Sequence, residues 1–415
     1  MDAEIIAIGS ELLTPFRQDT NSLYLTRRLN ELGVEVIWKS IVGDNREHLT
    51  QAVRLALGRA DIVITMGGLG PTEDDLTREC VADALGLELR RDNDLVTALY
   101  AWFAARRSKM PDNNKRQADV IPGAEILKNE KGTAPGQFWH GEIGELEKIV
   151  ILLPGPPFEL EAMYDAQVHS RLLPVVPEEY IATRELKIAM VGESAADTRA
   201  SEIYKRFPDV QTTILAGAGE VQFHLRARSE SQEEAQELVE VLADRLETEF
   251  EEEVFSSGGE TLEQIVGYWL QMRGATLSVA ESCTGGLLAQ RITSVSGSSR
   301  YFVGGAVVYS NDMKTSMADV PPLMIAEYGA VSKQVAAALA EGIRRRCKST
   351  LGVGITGVAG PTGGTEEKPV GLVYIAVSDG KKTEVLEKKF PGDRDRIRKF
   401  ASQQALDMIR RRLRA

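Results

Sequence analysis

A serine, a cysteine and a threonine stand together at Ser282-Cys283-Thr284, preceded by Ala280-Glu281 and followed by Gly285-Gly286. Hydroxyl and thiol groups in a glycine-bearing turn are the residue types of nucleophilic catalysis, in which a weak nucleophile is activated by a neighbouring base. A short apolar run, Ala275 to Val279, precedes this stretch, and a helical pattern, Leu287 to Ile292, follows it. The spacing predicts a strand that passes to a helix through the turn. The first amides of a helix have no intrahelical acceptor, so the turn is expected to offer donors to an oxyanion or an anionic ligand.

The base must come from elsewhere. The four histidines are His48, His140, His169 and His224, and none lies in the C-terminal third. A Ser-His or Cys-His pair inside that third is excluded unless a histidine enters from another part of the chain. A lysine with a lowered pKa is the usual substitute. Lys314, in Val308-Tyr309-Ser310-Asn311-Asp312-Met313-Lys314, follows a strand end and is expected to reach the same crevice, with Tyr309 relaying a proton or orienting the amine. Cys283 is the rival nucleophile, because thiolates are favoured in a first helical turn. No base is specific to it, however, and a small cysteine packed behind the turn accounts for it equally. Ser282 is therefore preferred.

Two more segments are expected to hold substrate. Gly354-Ile355-Thr356-Gly357-Val358-Ala359-Gly360-Pro361 ends an apolar strand in a Gly-rich loop that offers amides and the Thr356 hydroxyl to a phosphate. Gly392-Asp393-Arg394-Asp395-Arg396 opens the last helix with arginines able to pair a phosphate bidentately. A tight turn and a solvated helix start are the alternatives.

A separate set lies in the first third. Gly67-Gly68-Leu69-Gly70-Pro71-Thr72-Glu73-Asp74-Asp75 follows an apolar run and opens a helix. Glycines let backbone amides approach a phosphate closely. Asp74 and Asp75 would repel that anion unless a divalent cation or a proton intervenes, which suggests metal-assisted handling of a phosphate-bearing ligand. The alternative is that both carboxylates complement the helix dipole. Asp44, at the end of a neighbouring strand, is expected to face the same crevice, and Pro154-Gly155-Pro156-Pro157-Phe158-Glu159 forms a rigid corner at its edge.

The elements that must position these groups alternate between strands and helices. Ile5 to Ile8, Val34 to Trp38, Ile62 to Thr65 and Ile149 to Leu153 read as strands, with helices between them. That order predicts an α/β fold with a parallel sheet covered on both faces and ligands at the carboxyl ends of its strands. Leu172 to Glu178 reads as a linker. Residues 184–256 read as a small α+β module ending in a long, acidic helix. Such a module resembles a KH domain but lacks a basic Gly-x-x-Gly loop, so nucleic-acid binding is not expected and a spacer or interface role is. The last third is again α/β.

With 415 residues, two or three domains are expected. A net charge of −12 argues against a polyanionic partner, and the basic run Arg410 to Arg414 is expected to be a solvated helix face. Cys80, Cys283 and Cys347 have neither zinc nor disulfide spacing, which suits a reducing compartment. The first residues read as a strand rather than a signal peptide, and no apolar run reaches spanning length, so a cytoplasmic protein with no membrane association is expected.

These motifs together resemble the CinA family, the competence/damage-inducible proteins. The Gly67–Asp75 loop is similar to that of its N-terminal domain, a MogA/MoaB-like molybdopterin-binding fold, placed here at 1–171. Residues 179–256 resemble the family's KH-like connector. The Ser282 turn, Tyr309-Ser310-Asn311 with Lys314, Gly354–Gly357 and Gly392–Arg394 with Arg396 resemble its C-terminal nicotinamide mononucleotide (NMN) deamidase domain, placed at 260–415. The resemblance implies that Ser282 attacks the nicotinamide carboxamide with Lys314 as base and Tyr309 assisting. It implies no cofactor for this step, and substrate held by Ser299, Thr356 and Arg396 together with Thr284 and Gly285 of the turn. For the N-terminal domain it implies an ADP-ribose pyrophosphatase using magnesium, manganese or cobalt. Asp74 and Asp75 are the implied metal ligands, and Asp44, Gly67, Gly68, Gly70 and Thr72 complete the site. A homodimer is also implied. The alternatives are the pyrophosphatase as principal activity, or a non-enzymatic accessory binding protein.

Overall fold

The computed structural model describes residues 1–414. The chain divides into two compact units, Met1–Ala182 with Arg228–Ala235, and Thr183–Ala227 with Gln236–Ala415.

In the first unit, Asp2–Ile8 and Ile62–Met66 are buried almost throughout. Apolar runs of that kind suit central parallel strands, which are covered on both faces. Asp2–Ile8 pairs in parallel with Glu35–Val42 on one side and Ile62–Met66 on the other, and Leu146–Leu153 continues the parallel order. Two antiparallel strands, Gly136–Ile143 and Glu125–Leu127, then extend the sheet to six. Neither is among the strands expected from the sequence. The chain leaves Asp2–Ile8 toward one side and returns on the other, so the topological switch falls between it and Ile62–Met66. A crevice opens at such a point. Gly9 and Gly67 follow the two strands.

The second unit holds a four-stranded sheet and a five-stranded one. In the five-stranded sheet, Leu277–Glu281 is flanked in parallel by Phe302–Val307 and Leu351–Gly357, and Leu372–Ser378 and Thr383–Lys389 add antiparallel strands. The switch point here lies between Leu277–Glu281 and Leu351–Gly357. The helix Lys333–Cys347 packs closely enough on its neighbours that side chains must be absent: a Cβ on Gly342 would lie 1.7 Å from the Ala318 carbonyl oxygen. Ala318 ends the helix Asn311–Ala318, which carries Lys314.

The basic run at the end of the last helix, Arg394–Arg414, departs from expectation. Arg410 is buried, pairs with Asp407 and donates to the carbonyls of Val254 and Glu252. Arg411 also reaches Asp407, and Arg412 pairs with Asp379. The apolar side of this helix covers the C-terminal sheet, so part of the charge-bearing side is spent on capping the preceding module. Among the described residues, no helix is long and apolar enough to cross a membrane.

Candidate active sites

Three features of the second unit meet at the carboxyl edge of the parallel strands. Ser282 follows Leu277–Glu281, the Tyr309-Ser310 corner follows Phe302–Val307, and the Gly-rich loop follows Leu351–Gly357. The Ser282 amide donates to the Ile355 carbonyl at 2.9 Å and the Val308 amide to the Glu281 carbonyl at 2.8 Å, which stitches the three strand ends together. Ser282 is 8% exposed and Lys314 only 2%.

The Lys314 amine donates to the carbonyl oxygens of Val308 at 3.0 Å and Tyr309 at 3.2 Å. Among the described residues it has no carboxylate partner. Burial lowers its pKa from the ordinary lysine value, with the Cys283 thiol pulling weakly the other way. The reason is elementary: a neutral amine has two hydrogens, which two carbonyls satisfy, and an ammonium would carry a third into a dry site. It is the Tyr309 main chain that holds the lysine. The Tyr309 ring is 59% exposed, and its hydroxyl accepts from Arg394 at 2.9 Å.

The helix amides expected to serve an oxyanion are already occupied. The buried Glu281 carboxylate accepts from the amides of Gly286 at 3.1 Å, Leu288 at 3.0 Å and Ala289 at 2.8 Å. Glu281 thus caps the helix Leu287–Thr293 from the strand behind it. Among the described residues, the amides of Cys283 and Thr284 have no carbonyl or carboxylate acceptor. The Cys283 thiol lies among them, yet burial pushes it up to about 12, with the Glu281 charge adding to the rise and the two amides and Arg394 opposing it. A thiol in that state is protonated at neutral pH and is a poor nucleophile.

Arginines of the last helix reach the same edge. Arg394 donates to the Gly360 carbonyl at 2.9 Å as well as to Tyr309, and Arg398 donates twice to the Thr284 carbonyl, at 3.1 and 2.8 Å. Helical spacing of four places these two on one side, a signal present in the sequence that the emphasis on Arg396 passed over.

In the first unit a cleft of about 870 Å³ opens at the switch point, lined by Asp44, Gly67–Gly70, Asp74, Asp75 and Glu159 among others. The loop is held from beneath. Thr77 donates to the Gly67 carbonyl at 2.7 Å, and the fully buried Arg78 donates to Leu69 and Gly70 at 2.8 and 2.9 Å. Gly67 and Gly68 both take positive φ, and a Cβ on Gly68 would meet the Thr77 hydroxyl at 2.3 Å. The roles of Thr77, Arg78 and Arg116, which donates to the Thr72 carbonyl at 2.8 Å, were not legible because they act from the helix after the loop and from a distant segment.

Of the two aspartates expected to bind metal, Asp75 is spent on the turn: it accepts from the Thr72 amide at 2.8 Å and from the Thr72 hydroxyl. Asp44 accepts from the Ser10 amide at 2.7 Å. Hydrogen bonding within the turn holds the Asp74 carboxyl below the usual range. Among the described residues, no three histidine, cysteine, aspartate or glutamate side chains converge as a metal cage. The set does not make a resident metal site. A hydrated divalent cation that arrives with phosphate oxygens needs only one or two protein carboxylates, and Asp44 and Asp74 both line the cleft.

Residues 4–174 match the family model described as "Probable molybdopterin binding domain", 183–256 the "Damage-inducible protein CinA KH domain" and 259–413 the "CinA C-terminal domain". A CinA-like protein of Koribacter versatilis is 64% identical over 413 residues, covering 100% of both chains. The chain belongs to the CinA family. A CinA-like protein of Acidobacterium capsulatum is 58% identical with the same coverage. A solved structure of a competence/damage inducible protein from Agrobacterium tumefaciens is 36% identical, covering 37% of this chain and 94% of its own, at a TM-score of 0.36.

Of the binding residues expected for a CinA protein, Ser299 is not brought to the Ser282 turn within one chain. Ser299 lies in the short turn before Phe302–Val307, and that strand runs parallel to Leu277–Glu281. Ser299 therefore stands at the opposite edge of the sheet from Ser282. Arg396 lies exposed, with its guanidinium 5.7 Å from the centroid of the Phe400 ring. Thr356 is at the right edge but buried, its hydroxyl donating to the Ala330 carbonyl at 2.8 Å. Thr284 is buried with no partner for its hydroxyl, and Gly285 takes positive φ in the turn.

Proposed function

We propose that the C-terminal site hydrolyses the carboxamide of nicotinamide mononucleotide, releasing ammonia and nicotinic acid mononucleotide. The observation that carries this reading is the Lys314 amine, buried beside the Ser282 turn with two carbonyl acceptors and, among the described residues, no counter-ion. A neutral amine so held keeps its lone pair for a proton. Ser282 Oγ attacks the carboxamide carbon as Lys314 takes the hydroxyl proton, and the Cys283 and Thr284 amides receive the developing oxyanion. The proton returns to the leaving nitrogen and ammonia departs, leaving an acyl ester on Ser282. Lys314 then takes a proton from water, which cleaves the ester to the acid and frees the serine. No cofactor enters these steps. Arg394 and Arg398 are the cations at this edge for the substrate phosphate.

The test is ammonia release from NMN by the full chain, with and without EDTA, beside Ser282→Ala. Chelator-resistant release that vanishes in the folded variant is expected. Release that survives in Ser282→Ala overturns the mechanism.

Ser299 can act on this nucleotide only from a second copy of the chain, and we extend the proposal to a homodimer. Phe302–Val307 supports it, being a sheet-edge strand that exposes Val303 and Val307; exposed apolar edges favour pairing. The N-terminal cleft supports a second reading, cleavage of the diphosphate of ADP-ribose. When bound, a divalent cation would neutralise the phosphates. Asp44 and Asp74 would hold it, while Thr77, Arg78 and Arg116 keep the glycine loop rigid against the diphosphate.

A further inference from the structure

The KH module presses on the last helix at a point that leads back to the Ser282 turn. Its strands Val210–Gly217 and Glu220–Ser229 are joined by a tight hairpin in which Gly219 takes positive φ. A Cβ on Gly219 would stand 3.1 Å from Cγ of Gln403 and 3.3 Å from Cδ1 of Phe400, so the hairpin rests directly on the helix Arg394–Arg414. Gln403 is 3% exposed. Its amide nitrogen donates to the Glu220 carboxylate at 3.2 Å, and its side-chain oxygen accepts from Arg291 at 2.6 Å. The same guanidinium donates to Ser402 Oγ at 3.0 Å and to the Glu263 carboxylate at 2.8 Å. The other oxygen of Glu220 accepts from the Gln222 side chain at 2.6 Å, which fixes the carboxylate on the hairpin.

Arg291 lies on Leu287–Thr293, the helix that the Ser282 turn opens. The last helix therefore grips this segment at two points. Arg398 holds the Thr284 carbonyl within the turn, and Ser402 and Gln403 hold Arg291 further along. Apolar contact would press such surfaces together without fixing their register, whereas a satisfied chain of directional polar bonds fixes it. We infer that Glu220, Gln403 and Arg291 are positioning residues, through which the hairpin of the KH module sets the seat of the Ser282 turn. Charge dictates the order of the chain: the Gln403 amide turns its oxygen to the cation and its hydrogens to the carboxylate. Catalytic groups must be held within about half an ångström of the productive geometry by such supporting bonds. This inference rests on the reading of Ser282 as the amidase nucleophile and adds to it what holds that serine in place from outside its own domain.

The test is hydrogen exchange over residues 277–290 of the full chain, read by mass spectrometry, beside ammonia release from NMN. The proteins compared are wild type, Gln403→Glu, Glu220→Ala, and Gln403→Glu combined with Glu220→Gln. Gln403→Glu keeps an acceptor for Arg291 but sets two carboxylates against each other at the hairpin. Exchange over the turn should quicken. The kcat should fall about 2- to 30-fold with KM for NMN little changed, the range for residues that modulate a site without touching its ligand. Adding Glu220→Gln gives the new carboxylate a donor and should return both readouts toward wild type, which a mere loss of packing would not allow. Glu220→Ala, a change confined to the hairpin, should quicken exchange in the same segment, and it decides alone should Gln403→Glu not fold. Exchange over the turn equal to wild type in both single variants overturns the inference. So does a change in Gln403→Glu that Glu220→Gln leaves in place. Absence of ammonia release from wild type would sink the amidase reading, yet faster exchange reversed by the second substitution would still support the hairpin as what positions the turn.

Discussion

The side-chain amine of Lys314 is anchored by the main-chain carbonyl of Val308 at 3.0 Å. That anchor belongs to the residue whose amide bonds back to Glu281, one position before the candidate nucleophile. A small shift of the Phe302–Val307 strand end would therefore displace the base and the Ser282 turn together.

Lys314→Met should abolish ammonia release, a loss on the order of 100- to 10,000-fold for a missing general base. Because burial lowers the native pKa of Lys314 below the ordinary 10.5, the free amine needed for catalysis should accumulate, and kcat/KM rise, as pH climbs through that lowered value. Stability follows the same sign. Between the lowered pKa and 10.5 the unfolded chain holds a proton that the native chain does not, so this residue's contribution rises with pH across that window. Denaturant midpoints measured against pH should show the rise in wild type and not in Lys314→Met.

Cys283 should behave as packing rather than chemistry. With its thiol pushed up to about 12, it should resist iodoacetamide at neutral pH in the native protein and react on unfolding. Cys283→Ala should keep most of the ammonia release and cost about 1 kcal/mol of stability for the small cavity. Mass-spectrometric mapping of the alkylated cysteines, beside the assay, decides it. Rapid native labelling that kills activity would reinstate the thiol as nucleophile.

Arg394 and Arg396 should separate in kinetics. Arg394 bridges Tyr309 and Gly360 at the strand ends, whereas Arg396 lies over Phe400. Arg394→Gln should raise the KM for NMN about tenfold or more through a lost charge-assisted pairing with phosphate, with little change for the unphosphorylated riboside. Arg396→Gln should change neither. The opposite ranking would return the phosphate to Arg396.

Glu281→Ala removes the acceptor of three helix amides from a buried site. A loss of about 3 kcal/mol or more is expected, since bonds to a charged acceptor contribute more than neutral ones and the amides would be left unpaired. Chemical denaturation measures it. An unchanged midpoint would mean that water replaces the carboxylate.

Much of this architecture was legible because period and order survive in the residues themselves. Ile5 to Ile8, Ile62 to Thr65 and Ala275 to Val279 are apolar runs flanked by helical patterns, and each forms a buried strand. Ser282, Tyr309 and Lys314 were legible as a group because each follows a strand end at the same edge of a parallel sheet. What stayed hidden depends on directions that spacing does not encode. Nothing local announces that Glu281 turns its carboxylate forward onto the next helix, or that Tyr309 contributes a carbonyl rather than its phenol to the lysine. The sheet edge on which Ser299 stands was not legible because a residue before a parallel strand and a residue after one look equally near in sequence, although a whole strand length separates them. Gly136–Ile143 escaped notice because its apolar half is short and follows Pro135, which reads as a loop.

Gly342 has a consequence for how this half of the protein tolerates change. It sits on a helix with no group in the chemistry, yet the Ala318 carbonyl occupies the space where its side chain would be. Even alanine there would push against the end of the helix that carries Lys314, and the expected outcome is a displaced amine. The seating of the helix that carries Lys314, the proposed base, is thus set by a missing methyl group on the neighbouring helix Lys333–Cys347. A screen for loss of ammonia release should recover Gly342 variants that fold, bind substrate and fail to turn over.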